Sequence, residues 1–563
     1  MRQLFVFFFF VSHFLLAQST YPKNLFRSPL DVPVYLSGTF GELRSNHFHS
    51  GIDIKTQQRE GLPIYAIGDG YISRIKISPW GFGKAVYITH PNGNYTSVYA
   101  HLQKLNSELQ EYIKKLQYEQ KSYAVEIYPE ATTFKVAKGT IIAYSGNSGS
   151  SGGPHLHFEI RDSSQRPINP LHFGIAVKDK IAPTVNALFG YTFDQKSHIN
   201  QSNLPIRINL NEIKPNEFQA DKVIASGKIG FGINTFDRQD GTYNKNGIYR
   251  VEMKVNDIPY FSYDLEKFSF TETRYINAHI DYNFYKTNKN RIQKIFKWPK
   301  NPLSIYRLTK NDGIIVLKEG ENYDIEIKIT DFAGNKSVIK IPVQGKNLEI
   351  KRPTDVLITD RFLRSSIDNI YELNKASIYF PAHTFYENFY IDLKDSDSLL
   401  QIHHHKIPVH KKYQIKMDIS EYPEAEKNKL FVAHISEEGD LYYESTKRKG
   451  NQLIAKTRSL GNFKIAKDTT PPVVKSFNYK EGKWLSNYRY LKIRIYDDLS
   501  GIDTFKATLN NQWILMEYDP KTKLLVYDFE DLNFKETKHY LKLIVTDNVG
   551  NNTTFTSTFY KKK

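Results

Sequence analysis

Short runs in which apolar and polar residues alternate, cut by Gly, Asn and Pro, recur through most of this 563-residue chain. A period of two places successive side chains on opposite faces, the pattern of half-buried strands. The stretch "KAVYITHPNGNYTSVYAHL" (84–102) shows it plainly: an alternating strand, a turn around Asn92-Gly93, and a return strand ending near His101. Tyr and Phe reinforce the preference, with 38 and 36 copies in an aromatic content of 14%. "LNSELQEYIKKLQYEQK" (105–121) departs from it, because Leu105, Leu109, Ile113 and Leu116 recur at helical spacing. The expected fold is mainly β, with a helical insertion at about 103–135.

The length exceeds what one core supports and predicts several domains. Residues 25–178 form the first expected unit. Beyond it, "DKIAPTV" (179–185) resembles "DTTPPVV" (468–474), and each is followed by a closing strand and polar turn, "ITDFAGNKS" (329–337) and "VTDNVGNNT" (545–553). These pairs predict two divergent β-sandwich modules, at 179–345 with long insertions and at 468–563 with immunoglobulin-like size. Residues 346–467 alternate through many short segments and predict a third β-rich module. About three immunoglobulin-like or β-sandwich modules therefore follow the first unit.

The first 16 residues hold one Arg and an apolar run from Leu4 to Leu16, followed by Ala17. That run is shorter than the roughly 20 residues that span a bilayer, and residues 1–17 are read as a secretory signal. The mature chain is then exported, to the periplasm or to the cell envelope and beyond, with no transmembrane segment. The chain has no cysteine, so an exported form rests on its apolar cores alone. The formal charge of +17 fits work near an anionic polymer, and the absence of an aromatic-interleaved basic patch argues against nucleic acid.

Two short segments carry the chemistry. In "GPHLHFEI" (153–160), His155 and His157 share one strand face while Leu156 and Phe158 share the other. In "HFHSGIDIK" (47–55), His49 and Asp53 lie four apart in a strand-like stretch and share a face as well. His49, Asp53 and His157 make a two-imidazole, one-carboxylate set suited to a zinc ion with a free position for water. No HExxH motif supplies a helix-borne Glu as base, which leaves His101 and His155 to handle the proton.

"HSGID", "YAHL" and "GPHLHFEI", in this order, resemble the LytM/lysostaphin-type zinc metallopeptidases that cut peptide bonds of peptidoglycan. The likeness covers about residues 35–172 and includes "AIGDGYISRI", "KAVYITH", "GNSGSSGGPHLHFEI" and "INP" (168–170). It implies a β-rich metallopeptidase domain holding one Zn²⁺ through His49, Asp53 and His157. It implies His101 and His155 as the two catalytic histidines that are not ligands. The long stretch between "YAHL" and "VAKG" departs from the family's short loop, and the helix there is expected to shield or shape the cleft. The implied function is a secreted zinc metalloendopeptidase acting on crosslinks or stem peptides of peptidoglycan. The implied partners are peptidoglycan itself and an envelope protein met by the β modules. Two alternatives stand beside it: a non-catalytic wall-binding regulator of other hydrolases, and a zinc peptidase acting on glycine-rich protein segments.

Other features read as structural. Gly146, Gly149, Gly152 and Gly153 are expected to serve turns with positive φ. His47 and His90 are expected to be structural, "QIHHHKIPVH" (401–410) to be a solvated strand, and the basic segment near "NRIQKIFKWPK" to be solvated surface.

Overall fold

The computed structural model describes residues 21–353, 357–396, 399–532 and 534–562. The expected signal, 1–17, lies outside the described residues. The chain is mainly β, as the alternation requires, and its N-terminal part is built on one antiparallel sheet. Its main strands are β1 (Leu36–Gly38), β2 (Ile52–Lys55), β3 (Gly70–Ile77), β4 (Lys84–His90), β5 (Tyr95–Ala100), β6 (Val125–Ile127) and β7 (His155–Arg161). They lie in the order β1-β2-β7-β5-β4-β3-β6, so β7 is central although it comes last. The hairpin β4–β5 closes at the predicted turn, where Gly93 and Asn94 both take positive φ, 94° and 56°.

Alternation fixes the two faces of this sheet. Ile52 and Ile54 on β2, Leu156, Phe158 and Ile160 on β7, and Val86 and Ile88 on β4 are buried in one apolar cluster. A three-stranded sheet of Pro63–Tyr65, Ile141–Tyr144 and Lys104–Leu105 contributes Ile64, Ile142, Ala143 and Leu105 to the same cluster. Asp53, His155 and His157 fall on the opposite face by parity. The register then places Asp53 directly across from His157 on β2 and Ala100 across from it on β5.

The predicted helix is α1 (Ser107–Gln120), capped by the Asn106 side chain, which accepts from the Leu109 amide at 3.0 Å. Leu109 and Ile113 are buried as the spacing predicts. α1 also meets the C-terminal module. Lys114 pairs with Asp531, and the Tyr118 ring stands edge-on to Trp513 at 5.3 Å.

Residues 184–345 contribute the thirteen-stranded sheet assembly that follows. Its apolar core is continuous with that of the N-terminal sheet, and Phe268 packs on Phe40 and Phe48 at 5.0 and 5.5 Å between ring centroids. Gln239 ties the two further, donating to the Val34 carbonyl at 2.9 Å and accepting from the Leu36 amide at 2.8 Å. Residues 362–467 form two five-stranded sheets and a small two-stranded one, and residues 473–560 form two four-stranded sheets, each group around a core of its own. The similar segment pairs close with the same bonds. Asn335 Nδ2 donates to Asp331 and to the Asp179 carbonyl, and Asn551 Nδ2 donates to Asp547 and to the Asp468 carbonyl.

Three expectations need correction. His49 is not on the strand that carries Asp53, because β2 begins only at Ile52. The basic segment at 290–300 is not simply solvated, since Ile292, Ile295 and Phe296 are all buried. The three histidines at 403–405 follow the strand Leu399–Ile402 rather than lie in one; His403 has φ 51° and is buried, with Nδ1 accepting from the Asp392 amide.

Gly51 sets the approach of β2 to β7. A Cβ there would lie 2.3 Å from the Phe158 carbonyl oxygen, a backbone atom that cannot swing aside. Gly51→Ala is expected to destabilise the N-terminal domain by about 1–3 kcal/mol, the usual cost of forcing one carbon into a packed site. Thermal or denaturant melts of the full chain check this, and an unchanged melt would show that the strand pair yields without cost.

Candidate metal centre

Three side chains converge on the polar face of the sheet. His49 Nε2, Asp53 Oδ1 and His157 Nδ1 form a triangle with sides of 3.0 Å, 2.9 Å and 3.0 Å. All three residues are buried. Asp53 and His157 arrive by strand register. His49 arrives from the loop before β2, after the short strand His47–Phe48, and is drawn in by its own ring. Its Nδ1–H donates to the Thr39 carbonyl at 2.7 Å, which leaves Nε2 as a lone pair aimed at the cluster.

His157 is set in the same way from the other side. Its Nε2 lies 3.0 Å from Glu159 Oε1, so the Nε2–H donates there and Nδ1 is left as the lone pair. Glu159 is fully buried and its other oxygen accepts from Arg161 Nε at 2.6 Å. Asp53 is turned by Arg44, whose Nη2 donates to Oδ2 at 3.1 Å and leaves Oδ1 for the imidazoles.

Three acceptors about 3 Å apart repel one another unless a positive charge lies among them. The proton affinities of the cluster's own groups express that demand. Burial opposes both charged forms, but the surrounding imidazoles, His49 foremost, hold the Asp53 carboxyl well below its usual range. Burial likewise works against a charged His157, yet the hydrogen bonds to Asp53 and Glu159 outweigh it and raise the ring to about 9. Two imidazole nitrogens and one carboxylate oxygen fit a tetrahedral zinc site, whose ligand atoms stand about 3.3 Å apart at usual bond lengths.

Two further rings flank the triangle. His155 Nδ1 lies 2.8 Å from the Gly153 carbonyl and its Nε2 3.5 Å from Asp53 Oδ1. His101 follows the end of β5 with φ 60° and donates from Nδ1 to the Ser148 carbonyl at 2.9 Å. Its ring centroid stands 4.9 Å from that of His155 and 5.9 Å from that of His157. Burial, helped by the charges of His157 and His155, pushes His101 down to about 3, so it is neutral at any working pH. Each of the four imidazoles thus has one nitrogen committed and the other available. All five residues singled out in the sequence meet in one place.

The loop that anchors His101 and His155 runs from 145 to 154. Only Gly149 there takes a positive φ, at 69°, against the expectation for all four glycines. Gly146 is needed for space instead, since a Cβ would lie 2.2 Å from the Gln103 amide nitrogen, while Gly152 and Gly153 face open space. The C-terminal module backs this loop: Lys521 Nζ donates to the Asn147 carbonyl and, at 3.1 Å, to the Ser151 carbonyl. Lys84 Nζ, at the other side of the loop, pairs with Glu517 at 2.8 Å. The last module therefore borders the loop, and Gln110 and Lys114 of α1 line a cavity with Ser148, Gly149 and Glu517.

Sequence reasoning missed Glu159, Thr39, Arg44 and Lys521. Glu159 was legible, because residues 155, 157 and 159 share a face in any strand. The others come from distant segments with no local signature. His47 and His90 hold structural places: His47 Nδ1 bonds the Ser45 carbonyl, and buried His90 bonds the Asp69 carbonyl and Ser97.

Comparison with known proteins agrees with this geometry. The profile of Peptidase family M23 matches residues 47–118 and 130–170, and that of a Zu5-like domain matches residues 343–468. The chain is 34% identical over 129 residues to the DD-carboxypeptidase/endopeptidase Mpg of Neisseria meningitidis serogroup B, covering 23% of each protein. It is 29% identical over 169 residues to the peptidoglycan DD-endopeptidase ShyA of Vibrio cholerae, covering 29% of this chain and 33% of that one. The chain thus spans about a quarter to a third of the length of these curated relatives. The catalytic domain of lysostaphin from Staphylococcus simulans aligns in structure at 25% identity over 24% of this chain and 90% of that one, with a TM-score of 0.18. Residues 47–118 and 130–170 therefore form a domain of peptidase family M23.

Proposed function

We propose that the chain is an exported zinc metalloendopeptidase that hydrolyses peptide bonds of peptidoglycan, in crosslinks or stem peptides. The observation that carries this reading is the triangle of His49 Nε2, Asp53 Oδ1 and His157 Nδ1, with two more anchored imidazoles beside it. The peptidoglycan-cleaving relatives support the substrate class. One zinc ion per chain would be held by His49, Asp53 and His157. Bound there, zinc supplies a Lewis acid for the scissile carbonyl and an ionised water near neutral pH.

The chain's own residues handle the rest. Thr39 and Glu159 engage the outer nitrogens of His49 and His157, so the inner nitrogens are the ones a cation would take in place of a proton. His101 and His155 are held through Nδ1, which leaves Nε2 of each to accept the nucleophile's proton and return it to the leaving amine. The ring that has taken the proton is then the donor that steadies the developing oxyanion before the proton passes to the amine. Burial and the neighbouring imidazoles keep His101 uncharged before substrate arrives, so its Nε2 is not already carrying a proton. The β-rich remainder is proposed to position this domain in the envelope and to meet an envelope protein partner. Among the described residues no helix is long and apolar enough to cross a membrane.

Metal loading tests the ligand set. His157→Ala is expected to lose stoichiometric zinc in equilibrium dialysis with elemental analysis. Glu159→Gln is expected to weaken zinc affinity about 10- to 100-fold while keeping the fold, since it disturbs the tautomer and not the ligand. Full zinc and full activity in His157→Ala would overturn the assignment.

Turnover tests the reaction. Purified sacculi digested with the zinc-loaded chain are expected to release muropeptides with new amino termini, read by mass spectrometry. His101→Ala should keep its zinc and lose about 10²- to 10⁴-fold in rate, the range for a positioned proton-transfer group. Zinc bound with no new amines from sacculi, and cleavage of glycine-rich peptides instead, would shift the reading to a protein-directed peptidase. Zinc bound with neither product would favour a regulator of other hydrolases.

A further inference from the structure

A second cluster of ligands lies in the module that follows the M23 domain, built from the segments that repeat along the sequence. One carboxylate oxygen from each of Asp179, Asp237 and Asp331 lies within 4.8 Å of the others. Asp331 and Asp237 are buried, 2% and 5% exposed. Asp331 is held rigid by amides: its Oδ1 accepts from Gly334 and Asn335 at 2.7 and 2.9 Å. Asp179 Oδ1 accepts from the Ile181 amide at 3.0 Å. Asp237 differs. Its Oδ1 is cut off from solvent and has no hydrogen-bond partner.

A second bare oxygen stands beside it. Asn246 is 3% exposed, and its Oδ1 is also buried without a partner. Asp237 and Asn246 exchange both backbone hydrogen bonds, at 2.9 and 2.8 Å, as an opposed antiparallel pair. Residues so paired put their side chains on the same face of the ladder, so the amide oxygen and the carboxylate leave toward the same side. A buried polar oxygen without a partner is destabilising, and two side by side next to two more carboxylates call for a cation. A cavity of about 370 Å³ lined by Asp179, Asp237 and Asn246 gives the room for it and its water.

We propose that Asp179, Asp237, Asp331 and the amide oxygen of Asn246 form a binding site for one calcium ion. Every donor is an oxygen, which selects a hard cation over zinc. Calcium accepts six to eight oxygens in irregular geometry, including amide carbonyls and waters, whereas magnesium demands a near-ideal octahedron. Burial and the charges of Asp331 and Asp179 push the Asp237 carboxyl up to about 8, and burial, with Asp331 and Asp240, pushes Asp179 up to about 6. An ion in the cluster removes that strain.

The last module provides the contrast. Asp468, Asp497 and Asp547 also gather within 4.8 Å. There the chain's own amides fill the place of an ion: Asp497 Oδ1 accepts from Leu499 and Gly501 at 3.1 and 2.7 Å, and Asp468 Oδ2 from Ser500 at 3.2 Å. The repeated triad is thus self-satisfied in one module and open in the other. The open one sits where it matters to the peptidase domain, because Gln239, two residues from Asp237, bonds β1 at Leu36 and the chain before it at Val34. β1 pairs with β2, the strand of Asp53.

The test uses the full chain, stripped of metals on a chelating resin and reloaded with one equivalent of zinc. Calcium chloride alone is then titrated by calorimetry and by thermal melts. One calcium ion per chain is expected, with a dissociation constant on the order of 10⁻⁴ M, as in other extracellular modules. At about 100-fold excess over that constant, the first melting transition should rise by roughly 5–10 °C. Magnesium chloride at the same concentration should give less. Asp237→Asn should melt higher than the parent without calcium, because the repulsion is relieved, and should lose the calcium response. Asp179→Asn, at a half-exposed position, should lose the response as well and serves if Asp237→Asn does not fold. Asp497→Asn should keep it. No calcium response in the parent, or a response that survives both Asp237→Asn and Asp179→Asn, overturns the proposal.

Discussion

The repulsion among three electron-rich atoms held 3 Å apart governs the design of this molecule. Lone pairs from two imidazoles and a carboxylate do not gather unless the fold forces them together. It does so by strand register, which sets Asp53 opposite His157, and by a glycine that lets β2 lie against β7. Thr39, Arg44 and Glu159 then fix which atom of each side chain points inward. The cluster is strained by itself and relaxed by a cation, which is the condition for tight metal binding at a preorganised site.

The rest of the chain divides by how its cores connect. The module after the peptidase domain shares one apolar core with it, through Phe268 on Phe40 and Phe48, so the two are mechanically one body. The two later modules keep separate cores. Yet the last one returns to the peptidase domain through polar contacts, with α1 as one foothold and the 145–154 loop as another. The helical insertion that departs from the family's short loop also bears on this module, through Lys114 on Asp531 and Tyr118 on Trp513.

Legibility in the sequence followed the range of the interactions. Alternation in "GPHLHFEI" placed His155 and His157 on one face, and the same parity carries on to Glu159. The hairpin at Asn92-Gly93 and the helix at 105–121 were legible because both are local. His49 was assigned to the strand of Asp53 since four residues of separation preserve parity; the actual break at Ser50-Gly51 depends on contact with β7, which no local pattern reports. The histidines at 403–405 failed for a similar reason, as a turn with positive φ interrupts the alternation. In the repeated segments, the aspartates at 179, 331, 468 and 547 were visible as similar pieces, but the third member of each triad comes from a strand end elsewhere.

The link from Lys521 to the Ser151 carbonyl joins residues 370 positions apart. Synthesis is directional, so the loop beside the histidines leaves the ribosome long before the lysine that braces it. At about 5–20 residues per second that interval is roughly 20–70 s. Throughout it the nascent domain can complete its sheet while one border of its cleft is still unmade. The order of the genetic message thereby imposes a delay between the folding of the sheet and the bracing of the loop beside its histidines.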